Sequence, residues 1–102
     1  MITSVQNGAG FAGSATTTPQ SWKPNSENIH FYPNRVRIYN TGSQYVKVRI
    51  NISLSDFIAT SSLAMTIPPT KDEWLVTDGR PPIMNVVFAT ETGSSYIIIN
   101  AL

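Results

Sequence analysis

The 102-residue chain predicts an all-β fold: an antiparallel β-sandwich with jelly-roll-like connections and an extended N-terminal arm. Three features carry that expectation. Eleven Ile and seven Val stand against only four Leu, with eleven Thr, eleven Ser and eight Asn. β-Branched side chains lose little freedom in strands, and Ser and Asn favour turns. After Asn28, short β-branched runs recur between turn residues at roughly 8–12-residue spacing, the spacing of a sandwich or barrel. Finally, apolar and polar residues alternate in RVRIY (Arg35 to Tyr39) and YVKVRINI (Tyr45 to Ile52), giving each strand one core face and one polar face.

Composition also narrows the function classes. A chain of this size holds one domain and a small core. Seven Lys and Arg against six Asp and Glu leave a net charge of +1, which argues against a globally basic nucleic-acid binder. With no Cys there is no disulfide framework, thiolate zinc site or thiol nucleophile, and a single His cannot build a multi-histidine metal site. The opening MITSVQNGAG has neither a basic nor an apolar signal region, and no run approaches the ~18 apolar residues of a membrane span. A soluble protein with no membrane partner is therefore expected.

Residues 1–28 are read as an arm. They carry Lys23 and Glu27 as their only charges and hold Gly8, Gly10, Gly13 and the TTTP run ending at Pro19. Such a stretch offers little to a core, so it is expected to be flexible or laid along another surface, with Phe11 and Trp22 as anchors. A short strand near Ile2 to Gln6 is possible. The sandwich is assigned to 29–102, with strands near 28–32, 35–39, 45–52, 63–67, 73–77, 83–89 and 95–101. Turns are expected at Pro33-Asn34, Asn40 to Gln44, Pro68 to Lys71, Asp78 to Pro82 and Thr92 to Ser94. Only Ser55 to Ser62 suits a helical turn, with Ser55 as N-cap.

The runs 35–39 and 45–52 read as a central hairpin. Keeping both apolar sets on one face places Ile38 opposite Val46 and Val36 opposite Val48. Arg37 then faces Lys47, Arg35 faces Arg49 and Tyr39 faces Tyr45. Four cations share one strip, although like charges directly opposite destabilise a sheet. The strip has three readings. It is a solvated face, a docking surface for an acidic partner or a second copy of the chain, or a single-strand nucleic-acid surface with stacking tyrosines.

The last strands lose their alternation. Val86 to Ala89 and Tyr96 to Ile99 are continuous apolar runs, which implies burial on both faces. The arm or another subunit is the expected cover, with Ile98 as an outward contact; the alternative is a lone exposed apolar residue. Catalytic chemistry is absent from the pattern. His30 sits in IHFY without a nucleophile motif such as GxSxG, and Asp72, Glu73 and Asp78 lack a calcium-loop spacing. No enzyme activity and no cofactor are expected. Trp74 alternates with Glu73 and Leu75 and is expected in the core.

The stretch Asn34 to Leu102 resembles small structural proteins of tailed bacteriophages. The pieces that carry the resemblance are VRIYNTG (Val36 to Gly42), YVKVRI (Tyr45 to Ile50), Ala59-Thr60, IPPTKDEW (Ile67 to Trp74) and VVFATETGSSYIII (Val86 to Ile99). Pro69-Thr70 stands where the pattern usually has Pro-Gly, and Ser53 to Asp56 lack a glycine expected after the second core strand. The resemblance implies a virion component, foremost a capsid decoration or cement protein. It would be assembled in the host cytoplasm and present as a trimer or larger homo-oligomer on major capsid or neighbouring virion proteins. The residues expected to bind partners, read from the arm, the basic strip and the tail strand, are Phe11, Trp22, Arg35, Arg37, Tyr39, Tyr45, Lys47, Arg49 and Ile98. A carbohydrate-binding or nucleic-acid-binding β-domain is the alternative. On the arm reading, removing residues 1–28 leaves the body folded.

Overall fold

The computed structural model describes residues 9–24, 33–77 and 81–101. The strands expected near Ile2 to Gln6 and at 28–32, together with His30 and the Asp78-Gly79-Arg80 turn, lie outside the described residues. Among these residues there are eight strands: β1 (Ala9–Ala15), β2 (Gln20–Trp22), β3 (Arg35–Asn40), β4 (Val46–Ile50), β5 (Met65–Ile67), β6 (Asp72–Val76), β7 (Val86–Thr90) and β8 (Ser95–Ala101). They form two antiparallel four-stranded sheets. Sheet A has the order β1-β8-β3-β6 and sheet B the order β2-β7-β4-β5.

The wiring is a rolled hairpin. β1 pairs with β8, β2 with β7, β3 with β6 and β4 with β5, so the first half of the chain pairs with the second half in reverse order. Two further pairings, β3 with β8 and β4 with β7, complete the sheets. The inner faces share one core, to which sheet A contributes Val36, Ile38 and Ile99 and sheet B contributes Val46, Val48 and Phe88.

The expected central hairpin is not formed. β3 and β4 lie in different sheets, and none of the predicted Arg–Lys or Arg–Arg juxtapositions occurs. Alternation is satisfied equally by strands lying side by side and by strands facing one another across a core. The corner decides between the two. Asn40, fully buried, sends Nδ2 to the carbonyls of Gln44 at 2.7 Å and Ile67 at 3.0 Å. Its Oδ1 accepts from the Gly42 amide at 3.1 Å and from Ser95 Oγ at 2.6 Å. One side chain thus ties the departing loop to both sheets. Gly42 is required there, since a Cβ would run into Ser95 Oγ and come within 2.8 Å of the Tyr96 amide nitrogen.

Residues 9–24, assigned above to an arm, supply β1 and β2. Small residues let β1 lie against β8, and Ala15 and Trp22 are buried in the core. The tail strand β8 is therefore paired on both sides within the chain. The cover for β7 is also internal. All five of its residues are buried, because Phe57, with Ile52, Ala59 and Ala64 from the β4–β5 connection, packs on Val87 and Ala89. No second subunit is needed for that burial. The helical turn in this connection is a 3-10 turn at Leu54–Asp56, begun by Ser53 rather than Ser55, with Ser53 Oγ donating to Asp56 Oδ2 at 2.8 Å.

Candidate functional site

Partners in antiparallel register share a face. On the outer face of sheet A, Tyr39 is opposite both Ile98 and Asp72, while Arg37 is opposite both Asn100 and Trp74. Across β8, Ile98 meets Ala12 and Tyr96 meets Ser14. The three aromatic side chains stand in solvent, with Tyr39 at 42%, Trp74 at 40% and Tyr96 at 47% exposure. Gly10, Ala12 and Ser14 of β1 form a lane of small residues beside them.

The cations of this face are held in place. Arg37 Nε donates to Asp72 Oδ2 at 2.6 Å. The Arg35 guanidinium lies 5.1 Å from the centroid of the Trp74 ring, a cation–π distance. Both pairs are exposed, so their contribution to stability is small. What they restrict is the orientation of long side chains, which would lower the entropy cost of any contact made through them.

Of the predicted contact residues, Arg35, Arg37, Tyr39 and half-buried Ile98 come together here. Lys47 and Arg49 belong to the outer side of sheet B, where Lys47 Nζ lies 3.4 Å from Glu91 Oε2. Exposed Tyr45 borders a shallow depression of about 240 Å³ with Lys47, Thr66 and Glu91. The strip of four cations is therefore divided between opposite sheets, and two of its members face carboxylates. Phe11 and Trp22 are not free anchors. The Phe11 ring centroid is 5.3 Å from that of Phe88, and Trp22 is 6% exposed within the core.

Two members of the face, Trp74 and Tyr96, are not among the contact residues the sequence predicts. Trp74 was expected inside because its alternation partner Glu73 is charged. β6 is an edge strand, however, and Glu73 reaches solvent there while Leu75 takes the buried position opposite Val36. Tyr96 was hidden by the run of isoleucines after it; once β8 is aligned on β3, even positions point outward.

Among the described residues no helix is long and apolar enough to cross a membrane. No family model matches the chain, and no curated protein matches it. Several solved structures are similar. PirA aligns with a TM-score of 0.53 at 9% identity over 90% of this chain and 91% of its own. A protein of unknown function from Acinetobacter sp. ADP1, of the DUF1255 group, aligns with a TM-score of 0.50 at 12% identity, over 91% of this chain and 69% of its own. A Bacillus endospore appendage protein, from a family of disulfide-linked pili, gives a TM-score of 0.46 at 12% identity over 92% and 83% of the two chains. At these identities the likeness to PirA and to the Acinetobacter protein is one of fold, an all-β body of two antiparallel sheets.

Proposed function

We propose that this chain is a non-enzymatic jelly-roll sandwich acting as a virion structural protein, most simply a capsid decoration or cement protein. It docks through the outer face of sheet A onto copies of itself and onto the major capsid or neighbouring virion protein. The nested strand order supports the jelly-roll assignment, in which two four-stranded sheets enclose one core. The observation that carries the docking role is the grouping of Tyr39, Trp74 and Tyr96 with Arg35 and Arg37 on one sheet face. Tyr, Trp and Arg are the residues enriched in interface cores and hot spots. The bacteriophage resemblance of Val36 to Ile99 supplies the virion setting.

The test joins solution mass with particle binding. Light scattering of the full-length protein at several concentrations is expected to give a trimer or larger closed ring, and the protein is expected to co-sediment with assembled shells. Replacing Tyr39, Trp74 and Tyr96 together by Ser should abolish both while leaving the circular dichroism spectrum unchanged. A strict monomer that passes through shell sedimentation unbound defeats the reading.

A carbohydrate-binding module is the second reading, favoured by the same three exposed rings, since sugars stack on aromatic platforms. Saturable binding on a glycan array, lost in the triple Ser variant, would select it. The nucleic-acid reading rested on the continuous basic strip, which the division between sheets removes.

A further inference from the structure

We infer that the edge of β6 is a strand-addition site. It accepts an extended, apolar polypeptide segment carrying a carboxylate, contributed by a partner protein; it shares Trp74 and Arg35 with the outer face of sheet A but does not involve Tyr39 or Tyr96. Two hydrogen bonds fix which way the backbone groups of β6 point. The Asn40 amide donates to the Lys71 carbonyl at 2.9 Å, and the Thr77 amide donates to the Asn34 carbonyl at 2.9 Å. In an antiparallel ladder, residues alternate between bonding their neighbour and pointing away from it. Glu73 and Leu75 therefore bond β3, and the backbone groups of Asp72, Trp74 and Val76 face outward from the sheet edge.

The four edges of the two sheets are not equivalent. β2 and β5 are three residues long, with Pro19 just before β2 and Pro68-Pro69 just after β5. At β1 the Ser14 carbonyl already accepts from Gln20 Nε2 at 3.1 Å. Among the described residues the charges along β6, Lys71, Asp72 and Glu73, stand at one end. Its other end, Trp74 to Val76, is uncharged, and Val76 is 61% exposed. Proline and charge are among the usual protections of an edge, and the Trp74 to Val76 half of the five-residue β6 carries neither.

Next to that half runs a groove of about 450 Å³ between β6 and the edge of sheet B, lined by Ile50, Leu63, Met65, Trp74 and Val76, with Arg49 in its wall. Leu63 is 71% exposed. An edge with outward amides beside a side-chain groove is the geometry of β-augmentation, in which main-chain bonds supply affinity and the groove reads alternate side chains. Charge sets the chemistry of the occupant. Among the described residues Arg49 has no ion pair, and Arg35 is held over Trp74 without one. Both flank the uncharged half of β6, so an incoming strand with a carboxylate meets two cations, and one with a lysine is repelled.

The probes are capped octapeptides alternating Val and Thr, each with one Glu at a different position, added to the full-length protein. The readout is amide hydrogen exchange by NMR. At least one peptide should protect the Trp74 and Val76 amides. Exchanging its Glu for Lys should weaken binding about five-fold, and N-methylating alternate peptide bonds should abolish it. Val76→Pro removes an outward donor that the β3 ladder does not use, so the fold should persist and binding should be lost. If that variant does not fold, Arg49→Gln serves instead, and it should erase the Glu-over-Lys preference. The inference is overturned if no peptide protects the two amides, or if the N-methylated peptide binds as well as its parent. Replacing Tyr39 and Tyr96 by Ser should leave peptide binding intact while weakening the outer-face association, so the two sites fail independently.

Discussion

Asn40 decides which sheet the chain enters after β3. A buried amide with two donors and one carbonyl, all used, specifies one corner geometry, because any other arrangement would strand polar groups in the core. Asn40→Ala leaves the Ile67 and Gln44 carbonyls and the Gly42 amide without their partner, and is expected to cost about 3 kcal/mol or more. Urea unfolding followed by circular dichroism measures this, and a loss under 1 kcal/mol would mean that water replaces the amide. Thr70 supplies the opposite case. It holds φ at 62° in the Pro-Thr turn before β6, a left-handed conformation that is costly for a β-branched residue. Thr70→Gly relieves that strain and should stabilise the protein by about 1 kcal/mol, read as a Tm rise of roughly 4–8 °C. The glycine expected between Ser53 and Asp56 has a similar explanation. Left-handed geometry after the second core strand falls on Asn51, at φ 57°, where its side chain accepts from the Met84 amide at 2.7 Å and donates to the Pro82 carbonyl at 2.9 Å.

At the scale of elements, the β4–β5 connection behaves as an extra layer on sheet B. Phe57 is its main buried contact with Val87 and Ala89. Phe57→Ala should cost about 3 kcal/mol and expose the connection to limited proteolysis before the rest of the body opens. Simultaneous cleavage of all segments would instead place Phe57 in the cooperative core. This layer shows where the sequence was readable and where it was not. Strand positions followed from local period, so β3, β4 and β8 fall within a residue or two of expectation, and Val36, Ile38, Val46 and Val48 were identified as inner residues; Ile52, assigned by the same alternation to the core face, packs instead with Phe57, Val87 and Ala89. Pairing depends on contacts distant in the chain, and nothing in RVRIY or YVKVRINI distinguishes a neighbour in the same sheet from one across the core. The continuous run Val86 to Ala89 correctly announced burial on both faces. Its cover went unseen because Phe57 sits in a Ser-rich stretch with no period of its own. The same limit applied to the site: Arg35, Arg37, Tyr39 and Ile98 were legible as outward residues, while Trp74 needed the knowledge that β6 is an edge.

At the scale of the whole molecule, the nested pairing makes the first and last described strands neighbours, with Ala9 opposite Ala101. The chain cannot complete sheet A until its two ends meet, so most stabilising contacts span long sequence separations. Folding in the millisecond-to-second range is the expectation for such wiring. The consequence for truncation is direct. Removing residues 1–28 deletes β1 and β2, takes Ala15 and Trp22 out of the core and Phe11 from its margin, and leaves β8 and β7 as open edges. Loss of a buried Trp alone costs about 3–5 kcal/mol, against a total of roughly 5–15 kcal/mol for a domain. The truncated chain should therefore lack a cooperative thermal transition and should aggregate through the apolar runs Val86 to Ala89 and Ile97 to Ile99. Circular dichroism melting and light scattering of the two lengths make the comparison. If the shorter chain instead melts cooperatively as a soluble species, β1 and β2 are dispensable, and the first 28 residues are the separable arm that their glycines and threonines suggest.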